Sequence, residues 1–352
     1  MRQFIDDMQE QPNILQKIAD YYEFEESLLF RDADQWSAGK YQRIVFAGMG
    51  SSYAASRLAG NYLWSMGIPA FYMEASELLH YGMHTIPSEA LLVLISQSGE
   101  SIEVKEILRE LPPATDLIGI TNDPASTLGK SAKWVLPLLA GEESTTSSKT
   151  YTATLAVTLL LCNVIAKRSL VQPIHAIRTA ASAFESVSGH LNSLPWDEIT
   201  NWLIEANAIY LIGRGPAVST AFQGALTFKE LVKVPAESME AAQFRHGPLE
   251  TVNENTVVFV FASPAPTRKL ALSFVTELVA CGAKVIVIEQ GMAVTAHNKG
   301  RSEASDATID EVDEYFAALL DIYPVQRAAN DLAERLGISG EFKWISKVTQ
   351  KQ

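Results

Sequence analysis

Short apolar runs alternate with helical patterns along most of the chain. The runs 43–47, 91–95 and 116–121 are rich in valine, isoleucine and leucine, and no charged residue interrupts them. Uninterrupted runs of this length are typical of strands that are buried on both faces. Because a helical pattern follows each run, we predict open parallel sheets with helices on both sides.

The same arrangement occurs twice. Run 43–47 leads into Gly48-Met49-Gly50, and run 208–212 leads into Gly213-Arg214-Gly215. A helical stretch, a second apolar run and a loop follow in each copy, and the interval from the last of these glycines to that loop is 46 residues in the first copy and 47 in the second. The repeat predicts an α/β protein of two tandem three-layer α/β/α domains, each built on a parallel sheet.

The repeat also gives the expected domain boundaries. In chain order they are an N-terminal helical arm at 1–32, a first domain at 33–172, a helical connection with two prolines at 173–199, a second domain at 200–338 and a polar C-terminal tail at 339–352.

Composition and charge exclude several classes of protein. The 352 residues are 47% hydrophobic and carry a formal net charge of −13, which disfavours nucleic acid and anionic membranes as partners. Two cysteines cannot form a disulfide framework or a cysteine zinc site. The acidic N-terminus is unlike a signal peptide, and the longest apolar run, 155–166, is too short to span a bilayer. We therefore expect a cytoplasmic protein.

Three loops of the first copy are dense in hydroxyl groups. They contain Ser51-Ser52, Ser96-Gln97-Ser98-Gly99-Glu100-Ser101 and Ser144–Ser148. Any one of them could simply be a helix cap, because serine and threonine cap helices in all folds. Three such loops at successive strand ends of one sheet favour a phosphate site, since hydroxyls and helix N–H groups both donate to anions. The matching loop of the second copy, 262–266, holds two prolines, so we expect one phosphate site per chain.

The second copy carries candidate acid/base residues instead. Thr227 and Glu230 are three apart on a predicted helix, so they would share a face. His246 is flanked by Arg245 and Gly247, which predicts a turn. Histidine and glutamate are the usual proton-transfer groups near neutral pH. The residues alone leave a solvated helix face and a loop histidine open as alternatives.

Taken together, these motifs resemble the double sugar-isomerase (SIS) domain family over nearly the whole chain. That family includes the isomerase half of glucosamine-6-phosphate synthase, sugar-phosphate deaminases and fructosamine-6-phosphate deglycases. The motifs that carry the resemblance are Gly50-Ser-Ser-Tyr53, Ile95-Ser-Gln-Ser-Gly-Glu-Ser101, Ser147-Ser-Lys149, Gly213-Arg-Gly215, Phe228-Lys-Glu230, Arg245-His-Gly-Pro-Leu249 and a C-terminal segment, 343–349, similar to the family's last strand.

The resemblance implies roles for these positions. Glu230 would move a proton between sugar C1 and C2, and His246, supplied by the neighbouring subunit of a homodimer, would open the sugar ring. Lys347 would act at the carbonyl carbon through a Schiff base. No metal or other cofactor is implied. The phosphate would be held by Ser52, Ser96, Gln97, Ser98, Ser101 and Ser147, with Ser51 beside them.

Two departures from the synthase narrow the expected reaction. An N-terminal glutaminase domain is absent, so we expect no ammonia from glutamine. Thr227 stands where the synthase has lysine, and 244–250 is more similar to the deglycases and deaminases. We therefore predict an enzyme that releases amine from amino-substituted hexose 6-phosphates. An aldose–ketose sugar-phosphate isomerase and a non-catalytic sugar-phosphate sensor are the alternatives, and the amine and the sugar epimer stay open.

Overall fold

The chain divides into two compact units. In the computed structural model, residues 3–24, 33–143, 146–264, 266–297, 300–301, 313–346 and 348–350 are described. The first-sheet unit comprises 13–178 and 342–352, and the second-sheet unit comprises 1–12 and 179–341. None of the described helices is long and apolar enough to cross a bilayer.

Helices account for most of the described secondary structure. In chain order they are α1 (Phe4–Gln9), α2 (Gln11–Phe24), α3 (Ala33–Trp36), α4 (Ser51–Ser65), α5 (Ala75–Glu77), α6 (Ile102–Glu110), α7 (Thr127–Ser131), α8 (Lys149–Ile165), α9 (Val171–Asn192), α10 (Trp196–Glu205), α11 (Ala217–Thr227), α12 (Ala241–Phe244), α13 (Arg268–Ala280) and α14 (Glu314–Arg335). Single turns of π-helix follow α5 at Leu78–Gly82 and α11 at Phe228–Val232.

The first sheet is parallel throughout, as predicted. Its strands are β1 (Arg43–Gly48), β2 (Phe71–Glu74), β3 (Ala90–Ile95), β4 (Asp116–Thr121) and β5 (Trp134–Pro137). They lie in the order β2-β1-β3-β4-β5. β1 pairs with β2 on one side and with β3 on the other, so the strand order reverses beside β1. Ligands bind at such switch points in open α/β sheets.

Both faces of the first sheet are covered. On one face, Val45, Ala47, Leu92 and Leu94 share a buried cluster with Val104 and Ile107 of α6 and with the π-turn after α5. On the other face, α4 packs against β1 and against α8, which in turn contacts β4. Every residue of α8 is buried. This three-layer arrangement is the reason that the central strands lack polar positions.

The second sheet is parallel only in its core. Its strands are β6 (Ala208–Gly213), β7 (Glu237–Glu240), β8 (Thr256–Phe261), β9 (Lys284–Glu289), β10 (Met292–His297) and β11 (Gly300–Arg301), in the order β11-β10-β9-β8-β6-β7. Strands β6 to β9 run parallel, whereas β10 is antiparallel to β9 and β11 to β10. The predicted parallel sheet is thus confirmed for β6 to β9, and β10 and β11 add an antiparallel edge that the prediction did not include. The cause is a two-residue hairpin at Gln290-Gly291, where both φ angles are positive, 51° and 78°.

The second sheet is also covered on both faces. Tyr210, Ile212, Val258 and Val260 join a cluster with Phe274 and its neighbours in α13. On the opposite face α11 packs against β6 and α14, and α14 packs against β9. The N-terminal α1 also contacts α14, and the Gln11 side-chain amide donates to Oε1 of Gln326 at 2.8 Å.

The C-terminal segment forms no strand in its described part. Residues 342–346 and 348–350 have no strand pairing, and the side chains of Trp344 and Ile345 are exposed. The family-like strand predicted at 343–349 is therefore not formed there, because this segment has no row of backbone partners. Within the first-sheet unit, a backbone hydrogen bond runs from the Ile102 N–H to the Thr349 carbonyl at 3.1 Å.

Candidate functional site

The first two hydroxyl-rich loops lie side by side. β1 and β3 are neighbouring parallel strands, and Gly48 is in register with Ile95, so the loops that follow them leave the same edge of the sheet. Ser51 and Ser52 form the first turn of α4 and are partly exposed. Gly48 permits this close packing, because a Cβ there would lie 2.7 Å from the Ser52 backbone. The structure thus brings together the predicted serines of both loops.

The second loop is wound tightly around its own hydroxyls. The Gly99 N–H donates to Oγ of Ser96 at 3.1 Å, and the Glu100 N–H donates to Oγ of Ser98 at 3.2 Å. Gly99 has φ +64°, and a Cβ there would lie 2.1 Å from Oγ of Ser126. Because both serine oxygens accept from the backbone, each hydroxyl proton can be donated outward. An oxyanion beside the loop would accept a hydrogen bond from each of the two hydroxyls.

A carboxylate anchors this loop from behind. Glu100 Oε1 accepts the Thr127 N–H at 2.6 Å, and Glu100 Oε2 lies 2.9 Å from Nζ of Lys105. The Lys105 ammonium, followed by the Thr127 amide, lowers the pKa of Glu100 to about 2. The negative charge of Glu100 is thus compensated by Lys105 and by the Thr127 N–H. It therefore repels an anion bound at the loop less than an unpaired carboxylate would. This residue has no predicted role from the sequence.

Asn122 links the loops that follow β3, β4 and β5. Its N–H donates to the Gln97 carbonyl at 3.0 Å. Its side-chain oxygen accepts the Ala140 N–H at 2.9 Å, and its side-chain amide donates to the Gly141 carbonyl at 2.8 Å. Gln97 therefore has its backbone, rather than its side chain, fixed by the network. Asn122 was missed from the sequence because its importance depends on three loops converging.

The third hydroxyl-rich loop differs from the prediction. It follows β5, and β4 separates β5 from β3, so the three loops are not at successive strand ends. Residues 144 and 145 lie outside the described residues. Ser147 exchanges a hydrogen bond with Oγ1 of Thr150 at 2.8 Å, close to its own chain position. The order of the strands was not visible in the sequence, because the short β5 had not been recognised.

A carboxylate caps the helix that follows this loop. Glu143 accepts the N–H groups of Ser148 at 2.8 Å and Thr150 at 3.0 Å, together with the Thr150 hydroxyl at 2.5 Å. A negative group at a helix N-terminus is favoured by the helix dipole. Here an internal carboxylate, rather than a bound anion, occupies the first amides of α8. Of the predicted phosphate ligands, Ser147 is therefore tied into a structural cap.

The structure describes Ser101 but not Lys347. Ser101 precedes α6 as its N-cap, and its side chain makes no capping hydrogen bond. The N–H of Ile102, next in the chain, is taken by the Thr349 carbonyl. Lys347 lies outside the described residues, so its predicted role at the carbonyl carbon stays a prediction.

Glu230 lies in a widened turn. α11 ends at Thr227, and Phe228–Val232 forms a single turn of π-helix that Lys233 closes with φ +63°. Such turns recur at functional sites. Glu230 is partly buried, whereas Lys229 beside it is exposed. The Lys233 ammonium donates to the Glu230 carbonyl, and burial lowers the pKa of Lys233 while the Glu230 charge opposes that shift.

Thr227 does not share the surroundings of Glu230 in the manner predicted. It is fully buried, its hydroxyl donates to the Gln223 carbonyl at 3.0 Å, and it accepts from the Gln223 side-chain amide at 3.4 Å. The predicted common face assumed regular α-helical spacing between 227 and 230. The π-turn begins directly after Thr227 and changes that spacing.

His246 lies on a turn, as predicted. Its N–H donates to the Gln243 carbonyl at 2.9 Å, and Gly247 follows with φ +126°. The imidazole is exposed. Arg245 beside it is held by Glu277 of α13, with Nε to Oε2 at 2.8 Å. In the described part of the chain, no three histidine, cysteine, aspartate or glutamate side chains are grouped so as to hold a metal ion.

Comparison with known proteins places the chain in a family. The SIS domain model matches residues 40–164 and 202–333. The chain is 30% identical over 306 residues to the isomerizing glutamine–fructose-6-phosphate aminotransferase of Methanothermobacter thermautotrophicus, covering 85% of this chain and 50% of that protein. It is 32% identical over 301 residues to the same enzyme of Pyrococcus horikoshii, covering 84% and 49%. The chain thus spans about half the length of these curated relatives.

Solved structures share the fold. A glucosamine-6-phosphate deaminase of Thermotoga maritima matches with a TM-score of 0.77 at 20% identity, covering 98% of this chain and 99% of that one. A tagatose-6-phosphate ketose/aldose isomerase of Escherichia coli matches with a TM-score of 0.79 at 20% identity, covering 96% and 94%. The two matched segments contain the core strands of both sheets, and the chain belongs to the SIS domain family.

Proposed function

We propose that this protein is an enzyme that releases amine from an amino-substituted hexose 6-phosphate. It would act either as a deglycase of fructosamine-type 6-phosphates or as a deaminase of glucosamine 6-phosphate. The observation that carries the proposal is the geometry of the Ser96–Ser101 loop. The oxygens of Ser96 and Ser98 accept hydrogen bonds from backbone N–H groups, so their hydroxyl groups can donate hydrogen bonds to an oxyanion. Ser51 and Ser52 at the neighbouring strand end widen the same hydroxyl-lined edge.

The phosphate would be oriented without arginine. Hydroxyl donors at the carboxyl edge of a parallel sheet hold a phosphate by several short, directed hydrogen bonds. The matched charge of Glu100 keeps the loop shaped without leaving an isolated carboxylate. An anchored phosphate positions the rest of the sugar for proton transfer, which lowers the entropic part of the barrier.

Glu230 would carry the proton between adjacent carbons. In a ring-opened substrate it takes a proton from one of C1 and C2 and returns it to the other, through an enolamine. The resulting imine is hydrolysed by water, which breaks the C–N bond and releases the amine with a hexose 6-phosphate. The partly buried position of Glu230 in a π-turn supports this role. Lys347 would assist at the carbonyl carbon.

His246 would open the sugar ring from the neighbouring subunit of a homodimer. Its exposure on a turn of its own chain supports a role toward a second copy. The proposal accordingly includes dimerisation and a cytoplasmic location. Two alternatives use the same site. Proton transfer by Glu230 without release of amine would make the protein an aldose–ketose isomerase, and binding of a sugar phosphate without turnover would make it a sensor.

The test is turnover of a substrate panel by the full chain. The panel is fructoselysine 6-phosphate, glucoselysine 6-phosphate, glucosamine 6-phosphate and fructose 6-phosphate, with amine and hexose phosphate measured together. We expect amine release, and we expect Glu230→Gln to reduce it by about 10²–10⁴-fold. The matched control is Glu254→Gln, an exposed carboxylate before the amino end of β8, which should leave turnover unchanged. Isomerised sugar without amine, or full turnover by Glu230→Gln, would refute the proposal.

A further inference from the structure

A second pocket opens at the carboxyl edge of the second sheet. It encloses about 360 Å³, open solvent at its mouth included. Its walls come from the segment after β6, the segment after β8 and the facing sides of α13 and α14. β6 lies between β7 and β8, so this is the point where the chain leaves one strand in both directions. Such switch points are the usual ligand positions of open α/β sheets.

One wall of this second-sheet pocket carries a cation that lacks a partner. Nε of Arg214 is buried and has no hydrogen-bond acceptor among the described residues. Burial lowers the pKa of Arg214, and the nearby charge of Arg245 lowers it further. Arg245 itself is paired with Glu277. An anion that enters the pocket would stabilise this guanidinium, because its buried Nε–H otherwise has no acceptor among the described residues.

The other charged groups that line the pocket are not paired with Arg214 in the described part of the chain. Glu314 is partly buried, and burial raises its pKa, which favours its neutral form. Arg268 is paired with Glu289, with Nη2 to Oε2 at 2.9 Å. Asp321 is held by the Ser263 hydroxyl at 2.5 Å and by the Gly291 N–H at 2.8 Å. Glu289 and Asp321 are thus engaged with other partners. Asp321 also lines the pocket, and its remaining lone pairs can accept hydrogen bonds from a ligand.

The rest of the lining consists mostly of small side chains. Apart from the Thr267 hydroxyl it is apolar, with Phe261 as its one large side chain among Pro216, Ala217, Ala262, Ala271 and Ala318. An apolar surface with a few convergent polar groups is the usual composition of a small-molecule site. The lining therefore favours a compact organic ligand over a bare inorganic ion, with the anionic end at Arg214 and donor groups toward Glu314 and Asp321.

We propose that the second-sheet pocket is a separate ligand site for a small organic anion. The ligand carries one carboxylate or phosphate for Arg214, together with hydroxyl or amine donors for the carboxyl groups of α14. The site is built differently from the hydroxyl loops of the first sheet, since side chains replace the loop amides that Pro264 and Pro266 cannot provide. This proposal adds a site to the single phosphate site per chain that those prolines led us to expect.

The test is calorimetric titration of the full chain with four probes: glucose 6-phosphate, inorganic phosphate, gluconate and lysine. In Ser98→Ala, which weakens the first-sheet site, at least one organic probe should still bind. In Arg214→Gln that remaining binding should weaken by about tenfold or more. Binding of glucose 6-phosphate would indicate that the site takes a sugar phosphate. Binding of gluconate or lysine would indicate that it takes a carboxylate, so the probes distinguish these two kinds of ligand. Arg335→Gln is the matched control, because Arg335 is exposed and does not line the pocket.

A second variant guards against misfolding of Arg214→Gln. Ala217→Leu keeps the guanidinium and fills the pocket from the first turn of α11, where Ala217 is partly exposed. It should abolish the same binding. The proposal is overturned if no organic probe binds in Ser98→Ala. It is also overturned if adding Arg214→Gln or Ala217→Leu to Ser98→Ala leaves that binding as tight as in Ser98→Ala alone. Turnover of amino-sugar phosphates is measured separately, so failure here leaves the proposed reaction to its own test.

Discussion

Replacing Asp321 by asparagine should make the second-sheet unit more stable at alkaline pH. Asp321 is 2% exposed within α14 and accepts hydrogen bonds from Ser263 and Gly291. Burial raises the pKa of Asp321 from its ordinary 3.8 to about 7, against the Ser263 hydrogen bond, and the charge of Glu289 raises it further. The folded protein therefore keeps a proton on this carboxyl where the unfolded chain has lost it.

The sign and size of the effect follow from this difference. A raised pKa gives stability that is complete below about pH 4 and is lost as the pH rises to about 7. Three pKa units correspond to about 4 kcal/mol in the free energy of unfolding. Asparagine stays neutral throughout, but it has one acceptor oxygen for two donors, which costs about 1 kcal/mol at every pH. The variant should be about 1 kcal/mol less stable near pH 4 and about 3 kcal/mol more stable near pH 8.

Urea unfolding at a series of pH values measures this, with hydrogen exchange of β8 and β9 as the readout for the second-sheet unit. Only the difference between Asp321→Asn and the unmodified chain is used, because other groups titrate equally in both. Asp197→Asn is the matched control, since it makes the same substitution at a carboxyl that is 96% exposed. A difference that is constant with pH, or that favours aspartate at alkaline pH, would refute the reasoning.

Two further substitutions test the phosphate edge. Gly99→Ala should cost at least 1–2 kcal/mol and weaken sugar-phosphate binding by about tenfold or more, because its Cβ would meet Ser126 at φ +64°. Gly67→Ala, at φ +75° with no atom within 4 Å, is the control for strain alone, and equal binding losses in both would contradict the argument. Glu143→Gln should lower the free energy of unfolding by about 1 kcal/mol through the lost helix cap, measured by thermal melting beside the exposed Glu142→Gln. A melt unchanged from that of Glu142→Gln would show that the cap contributes nothing.

The central strands could be predicted from the sequence because burial on both faces forces an uninterrupted apolar run. β4 was predicted with its observed bounds, and β1, β3 and β6 to within one residue. The edge strands β2, β5 and β7 were missed, since each has four residues and is only partly buried, as at Phe71, which is exposed. The hairpin to β10 did leave a signal, because Gln290-Gly291 separates two short β-branched runs.

The candidate site was predictable where one loop acts by itself and not where several converge. The Ser96–Ser101 loop and the turn at His246 carry their geometry in their own residues. The Glu143 cap and the Asn122 link depend on which strands are neighbours, and the missing β5 hid that order. The π-turn at Glu230 likewise results from local packing that α-helical periodicity does not encode.

The two copies of the repeat separate what the backbone requires from what the chemistry requires. Gly48 and Gly213 are retained because a Cβ would lie 2.7 and 2.6 Å from the backbone of the following helix. Gly50 and Gly215 are retained because their own φ angles are positive, 52° and 53°. The residue between each glycine pair is under neither constraint, and it is methionine in one copy and arginine in the other. Arg214 can therefore give the second sheet a charged edge without altering the fold that both copies share.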